Sequence, residues 1–259
     1  MRFGRSTESR LKRITYIDCV SQNRRPDSLN AGRFFGQTLT SKLGLKGYQM
    51  GRTDRKNIPQ HIRERARVIA QHEMGHHVLA RLMGFATSEV TVELSERGDH
   101  KGGATIHLAE SMTTIDEVKA YLERRVLVLY AGAMAETLPP GHVPENGVDR
   151  DRAVEIIRGA LGAEQDHAKA REAIHLLRSI LHPGVHDADV VNEQLIALDE
   201  RLWGRALELV EEYEKTIVGV ACGLTQHLEE QPRGTYSAVY AKEVLDELSG
   251  LKTLPLLQP

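Results

Sequence analysis

Cysteine is nearly absent: Cys19 and Cys222 are the two in 259 residues, and no paired spacing joins them. That excludes a disulfide framework and a cysteine-ligated zinc cluster, and it points to a reducing, cytoplasmic setting. Also missing is any run of about 18 or more apolar residues, and the N-terminus lacks the roughly 7–15-residue apolar core of a secretory signal. The expectation is a soluble chain with no membrane partner. Aromatic residues make up 5% of the chain. With Ala, Leu, Glu and Arg abundant, the composition favours helix over a β sandwich. No Gly-x-x-x-x-Gly-Lys-Ser/Thr loop occurs, so the sequence shows no nucleotide-hydrolysing motor. Internal repeats and low-complexity tracts are absent too.

What is present suits one large globular domain, or one domain with appended helices, since 41% of residues are hydrophobic and 27% charged. The net charge of −2 is unevenly spread. Residues 1–56 hold 13 Lys/Arg against 4 Asp/Glu, and the remainder holds 21 against 32. Two domains are therefore read: a basic, adaptable arm over 1–56 and a folded body over 57–259. The arm reads first as a solvated tail and second as a contact for nucleic acid or an acidic partner.

In the body, Pro59 suits a first helical turn and Gly84 a helix end, with Ile62, Ala66, Ile69, Leu79, Ala80 and Met83 at helical spacing between them. Val90 to Leu94 alternates as a strand does, Arg97-Gly98-Asp99 reads as a turn, and Ala104 to Leu108 as a second strand. Residues 115–136 predict a helix that Pro139-Pro140-Gly141 breaks. Another helix opens at Asp149 or Asp151 and runs to about Gly159. Roughly three more follow, separated by His182-Pro183-Gly184 and Gln231-Pro232-Arg233-Gly234. The predicted fold is mainly α, with a small antiparallel sheet edge after the first helix.

The chemistry lies in His72-Glu73-Met74-Gly75-His76. Histidines four apart on a helix stack one turn from each other and offer two imidazole nitrogens to one metal ion. Glu73 sits about 100° further round and faces the same cavity without ligating, which places a base beside an activated water. The apolar stripe shares this sector, so both rings point inward. Arg65 falls there as well and is read as snorkelling, whereas His77 points about 100° away. Gly75 in mid-helix suggests close approach of another backbone. A third ligand is required, and the residues leave Glu136, His142, Glu145, Asp149 and Asp151 as candidates.

These motifs resemble the peptidase domain of the FtsH family, the membrane-anchored ATP-dependent zinc proteases. That family's His-Glu-Ala-Gly-His helix, strand pair, Gly-Gly-Arg-x-Ala-Glu-Glu helix and Gly-Ala-Ser-Asn-Asp loop are matched in order by residues 72–76, 90–108, 131–136 and 145–149. Residues 206–228 and 240–248 resemble its closing helices. The resemblance implies one zinc per chain held by His72, His76 and Asp149. Asp149 is chosen because the family's ligand lies four residues before a helical Ala. Glu136 is implied as a partner of a ligating histidine. The chain lacks the family's ATPase and membrane anchors, and Ala133 stands at its Arg.

The expected function is an ATP-independent zinc metalloendopeptidase cleaving unfolded or flexible polypeptide, with Glu73 as general base. The substrate would pair with the strand bearing Val90, Val92 and Leu94. The second reading is a regulatory or adaptor protein that binds nucleic acid or an ATPase partner through the arm. An oligomer is compatible with either.

Overall fold

The first helix, α1 (Gln60–Leu82), sets the frame. In this computed structural model the described residues are 58–139, 147–159, 163–252 and 254–257. The arm assigned to 1–56 lies outside them, as do His142 and Glu145. Pro59 caps the start of α1, where its missing N–H costs no hydrogen bond. Gly84, at φ +80°, turns the chain away. The Phe85 N–H then reaches the Ala80 carbonyl at 2.8 Å and the Gly84 N–H the Arg81 carbonyl at 3.1 Å, satisfying the last turn. Ile62, Ala66, Ala70, Met74 and Val78 recur every four residues and are all fully buried.

Helix α2 (Ile115–Glu136) starts with a reciprocal cap. The Thr114 hydroxyl accepts from the Glu117 N–H at 3.2 Å, and the Glu117 carboxylate accepts from the Thr114 N–H at 2.9 Å. From Leu127 to Ala135 the helix is buried on every side. Its small residues let α1 come close: a Cβ on Gly75 would strike the Ala131 carbonyl and the Ala135 side chain. The sequence signal at Gly75 is thus a helix–helix contact. Gln71 seals the crossing by donating to the carbonyls of Ala135 (3.1 Å) and Leu138 (2.9 Å), at and just beyond the end of α2.

Strands β1 (Ala86–Ser95) and β2 (His100–His107) form a hairpin whose turn carries Gly98 at φ +108°. Arg65 anchors that turn to α1, donating to the carbonyls of Ser95 (3.2 Å) and Gly98 (2.6 Å). This is why a cation interrupts the apolar sector. A second hairpin, β3 (Glu229–Gln231) and β4 (Thr235–Tyr240), turns at Arg233 and Gly234. Both have positive φ, 70° and 69°, in the three-residue loop that joins Gln231 to its partner Thr235. The strand order is β2-β1-β4-β3, antiparallel throughout.

The second hairpin corrects the sequence reading in two ways. Residues 235–240 form a strand instead of entering a closing helix. And β1 becomes an inner strand: Val92 pairs with Gly102 on one side and Ala238 on the other. Val90, Val92 and Leu94 are at most 1% exposed and face the helices, each contributing about 1.5–3 kcal/mol of burial. They cannot pair with a substrate.

The remaining helices are α3 (Arg150–Arg158), α4 (Glu164–Leu181), α5 (Ala188–Glu212), α6 (Glu214–Gln226), α7 (Lys242–Glu247) and α8 (Ser249–Lys252). Helices α4 and α5 pack on α2, and α6 on α1. The architecture is mainly helical with one small antiparallel sheet, as the composition implied. Among the described residues no helix is long and apolar enough to cross a membrane.

Candidate metal centre

Helix α1 presents His72 and His76 from successive turns towards α2, with side chains 13% and 10% exposed. Each ring is held from behind. The Nδ1 of His72 is 3.1 Å from the Glu136 carboxylate at the end of α2, and the Nδ1 of His76 is 2.8 Å from the Val128 carbonyl. An acceptor at each Nδ1 keeps its proton there and leaves each Nε2 as a lone pair.

The two Nε2 atoms meet at 3.1 Å. A carboxylate oxygen of Asp166, in the first turn of α4, lies 3.1 Å from the Nε2 of His76 and 3.6 Å from that of His72. Three electron-rich atoms so close repel one another unless a cation lies among them. Ligand atoms about 2.0–2.1 Å from a tetrahedral ion lie about 3.3 Å apart, a spacing these distances bracket. Gly132 of α2 leaves room for the rings, since a Cβ there would overlap both imidazoles. The residues fit a metal ion, and this is the one such cluster of His, Cys, Asp or Glu among the described residues.

The charges agree. Burial disfavours a charged His72, but hydrogen bonds to Asp166 and Glu136 and the charge of Glu73 outweigh it, pushing its pKa up to about 10. Burial would likewise raise the Asp166 carboxyl, yet its bonds to His72 and His76 hold it far below the usual carboxylate range. Without metal the cluster captures a proton; with metal, the ion takes that role. His77, one residue on, is fully buried with neither ring nitrogen partnered among the described residues, and burial lowers its pKa to about 4.

Glu73 is separate from the three ligand atoms. Its carboxylate lies against Gly102 of β2, where a Cβ would collide with it. It forms no hydrogen bond or ion pair with other described residues. It borders two cavities. One, about 400 Å³, also reaches Asp166, Arg125, Leu129 and the stretch from Gly102 to Leu108. The other, about 830 Å³, extends past His61, Val68 and His100. Both run along β2, whose outer edge carries no strand partner among the described residues.

Of the sequence-derived site residues, His72, Glu73, His76 and Glu136 come together. Asp149 does not join them. It is exposed at the N-cap of α3, where its carboxylate accepts from the Arg152 N–H at 3.0 Å, and Asp166 occupies the expected third position. The exposed Asp151 in the first turn of α3 is outside the cluster as well. A signal for Asp166 was available: Gly162-Ala163-Glu164-Gln165-Asp166 has Gly-Ala-x-x-Asp spacing, and Asp166 also precedes an Ala, Ala170, by four residues. No family model matches the chain, and no curated protein matches it significantly.

Proposed function

We propose that the protein is a zinc metalloendopeptidase acting on unfolded or flexible polypeptide, in a reducing, cytoplasmic setting. The observation that carries this reading is the convergence of two Nε2 atoms and one carboxylate oxygen beside Glu73, a carboxylate that lies against Gly102 of β2 and has no hydrogen bond or ion pair among the described residues. Two imidazoles and one carboxylate are the donor set of hydrolytic zinc sites that keep a fourth position for water. The FtsH-like motifs favour the same reading, with the loop ligand moved to Asp166.

Bound zinc would polarise a peptide carbonyl and lower the pKa of a water held beside it to about 7. His72 and His76 hold the ion through Nε2, their orientation fixed by Glu136 and Val128. Asp166 supplies the negative charge. Glu73 takes the water's proton and passes it to the leaving amine, working as base and then acid. β2 offers main-chain donors and acceptors along its outer edge, so an extended peptide adds a strand there and lies across Glu73. This role falls to β2 because β1 is flanked on both sides.

The test is the Glu73→Gln variant. Cleavage of casein should fall by at least about a thousandfold while the metal content stays at one zinc per chain. Undiminished cleavage, or a wild-type protein that takes up no zinc, overturns the proposal.

A further inference from the structure

The smaller cavity holds a cation that the chemistry above does not use. Arg125 lines it from α2, on the same face as Leu129, Gly132 and Glu136 and so on the side turned to the two histidines. It is only partly exposed, and burial lowers its pKa while Tyr121 and the Asp166 charge pull it back up. The guanidinium stays charged. Yet Arg125 makes no hydrogen bond or ion pair with other described residues. Arginines lining the larger cavity are committed: Arg65 to the β1–β2 turn and Arg67 to Gln71. A half-buried guanidinium with open donors needs a partner, because its desolvation is otherwise uncompensated.

The surroundings specify that partner. Lys169, three residues after Asp166 on α4, borders the same cavity and is also unpaired among the described residues. Opposing them are Glu164, Glu73 and Asp166. A divalent ion on the histidines offsets the charges of Glu73 and Asp166, which leaves Arg125 and Lys169 against Glu164 and a cavity short of one negative charge. Leu129, Ile106 and Leu108 supply apolar wall for methylene groups.

We propose that Arg125 is a specificity-determining residue that receives a substrate carboxylate in this cavity, so that the peptides chosen carry an acidic side chain or a free C-terminal carboxylate beside the bond to be cut. The inference rests on the peptidase reading for the cut itself, but carboxylate binding is measurable without cleavage.

The experiment uses the full chain with the Glu73→Gln substitution, loaded with zinc, so that peptides bind and stay intact. Calorimetry compares three peptides of one sequence: glutamate within and an amidated C-terminus, glutamine within and a free C-terminus, and glutamine within and an amidated C-terminus. One carboxylate-bearing peptide should bind at least about tenfold more tightly than the neutral one, as a charge-assisted bond predicts, and which one identifies the source. Adding Arg125→Gln should erase that preference with zinc content unchanged, and Arg125→Lys should restore part of it. Equal affinity for all three peptides overturns the inference, as does a preference that survives Arg125→Gln. Should Arg125→Gln not fold, Arg125→Lys and the three-peptide comparison decide. A wild-type chain that cleaves peptides with no carboxylate preference sinks this inference and leaves the peptidase standing. One that binds acidic peptides through Arg125 but cleaves none does the reverse.

Discussion

Helices α3 and α4 begin in nearly the same way and end up in different roles. Each has an aspartate near its start, each aspartate lies four residues before a buried alanine (Ala153 and Ala170), and each helix is amphipathic. At α3, Asp149 is exposed and turns back on its own backbone, accepting from the Arg152 N–H as N-cap aspartates do. At α4, the first turn packs over α2, and Asp166 reaches across to two imidazoles on α1. Local spacing is the same in both. What separates a cap from a ligand is the neighbour each helix meets, which no window of sequence contains.

The sharpest way to break this contrast is to delete each carboxylate in turn. Asp166→Ala should cost more than the roughly 10–100-fold in zinc affinity typical of residues that only support a ligand, because it leaves two lone pairs facing each other with no anion. Asp149→Ala should leave zinc content at wild-type level. Titration against a competing chelator measures both, and the opposite ranking would return the ligand to Asp149. Next in size is Gly132→Ala. In an ordinary helix this change adds up to about 1 kcal/mol of stability. Here the new Cβ meets both imidazoles, so the variant should lose about 1–3 kcal/mol and bind zinc weakly, read by thermal melts with and without metal. Smaller again is Glu136→Gln, which keeps an acceptor near His72 but removes its charge; zinc affinity should fall by about tenfold or more.

How much of this was legible in the sequence follows the same division between local and distant. The α1 stripe, the helical run over 115–136 and the Arg97-Gly98-Asp99 turn are signals within a few residues, and the two helices and the hairpin lie where those signals put them. His72, Glu73 and His76 are legible because one helix carries all three. The third member of the candidate metal cluster comes from a separate helix some ninety residues on, where two aspartates satisfied one rule. The role given to Val90, Val92 and Leu94 failed for a related reason. Their alternation correctly implied a half-buried strand, but an edge is distinguished from an interior only by β4, whose six residues, including Ser237 and Ala238, carry a weak strand signal. Arg125 shows the same limit, since a cation unpaired among the described residues becomes visible only when its neighbours are known.

Protonation separates the metal cluster from the buried histidine beside it. In the metal-free protein the folded-state pKa of His72, about 10, lies above its unfolded value, so its contribution is fully present below about pH 6.5 and is lost as pH rises towards 10. Thermal stability without metal should decline across that window, while zinc affinity increases as the competing proton leaves. His77 has the opposite sign. Its folded pKa, about 4, lies below the unfolded value, so stability is lost as pH falls from about 6.5 towards 4. His77→Leu should flatten that acid slope and leave the alkaline one unchanged. Melting curves from pH 4 to 10 on the metal-free wild type and this variant separate the two limbs, and an alkaline decline that persists with zinc bound would count against His72 as its source. The smallest effect closes the comparison of the two aspartates. Asp149→Ala removes one cap from a nine-residue helix and should cost about 1 kcal/mol at neutral pH, whether or not zinc is present. If that cost instead grows several-fold in the metal-loaded protein, Asp149 is coupled to the ion, and its exposed position at the head of α3 does not describe the working state of the site.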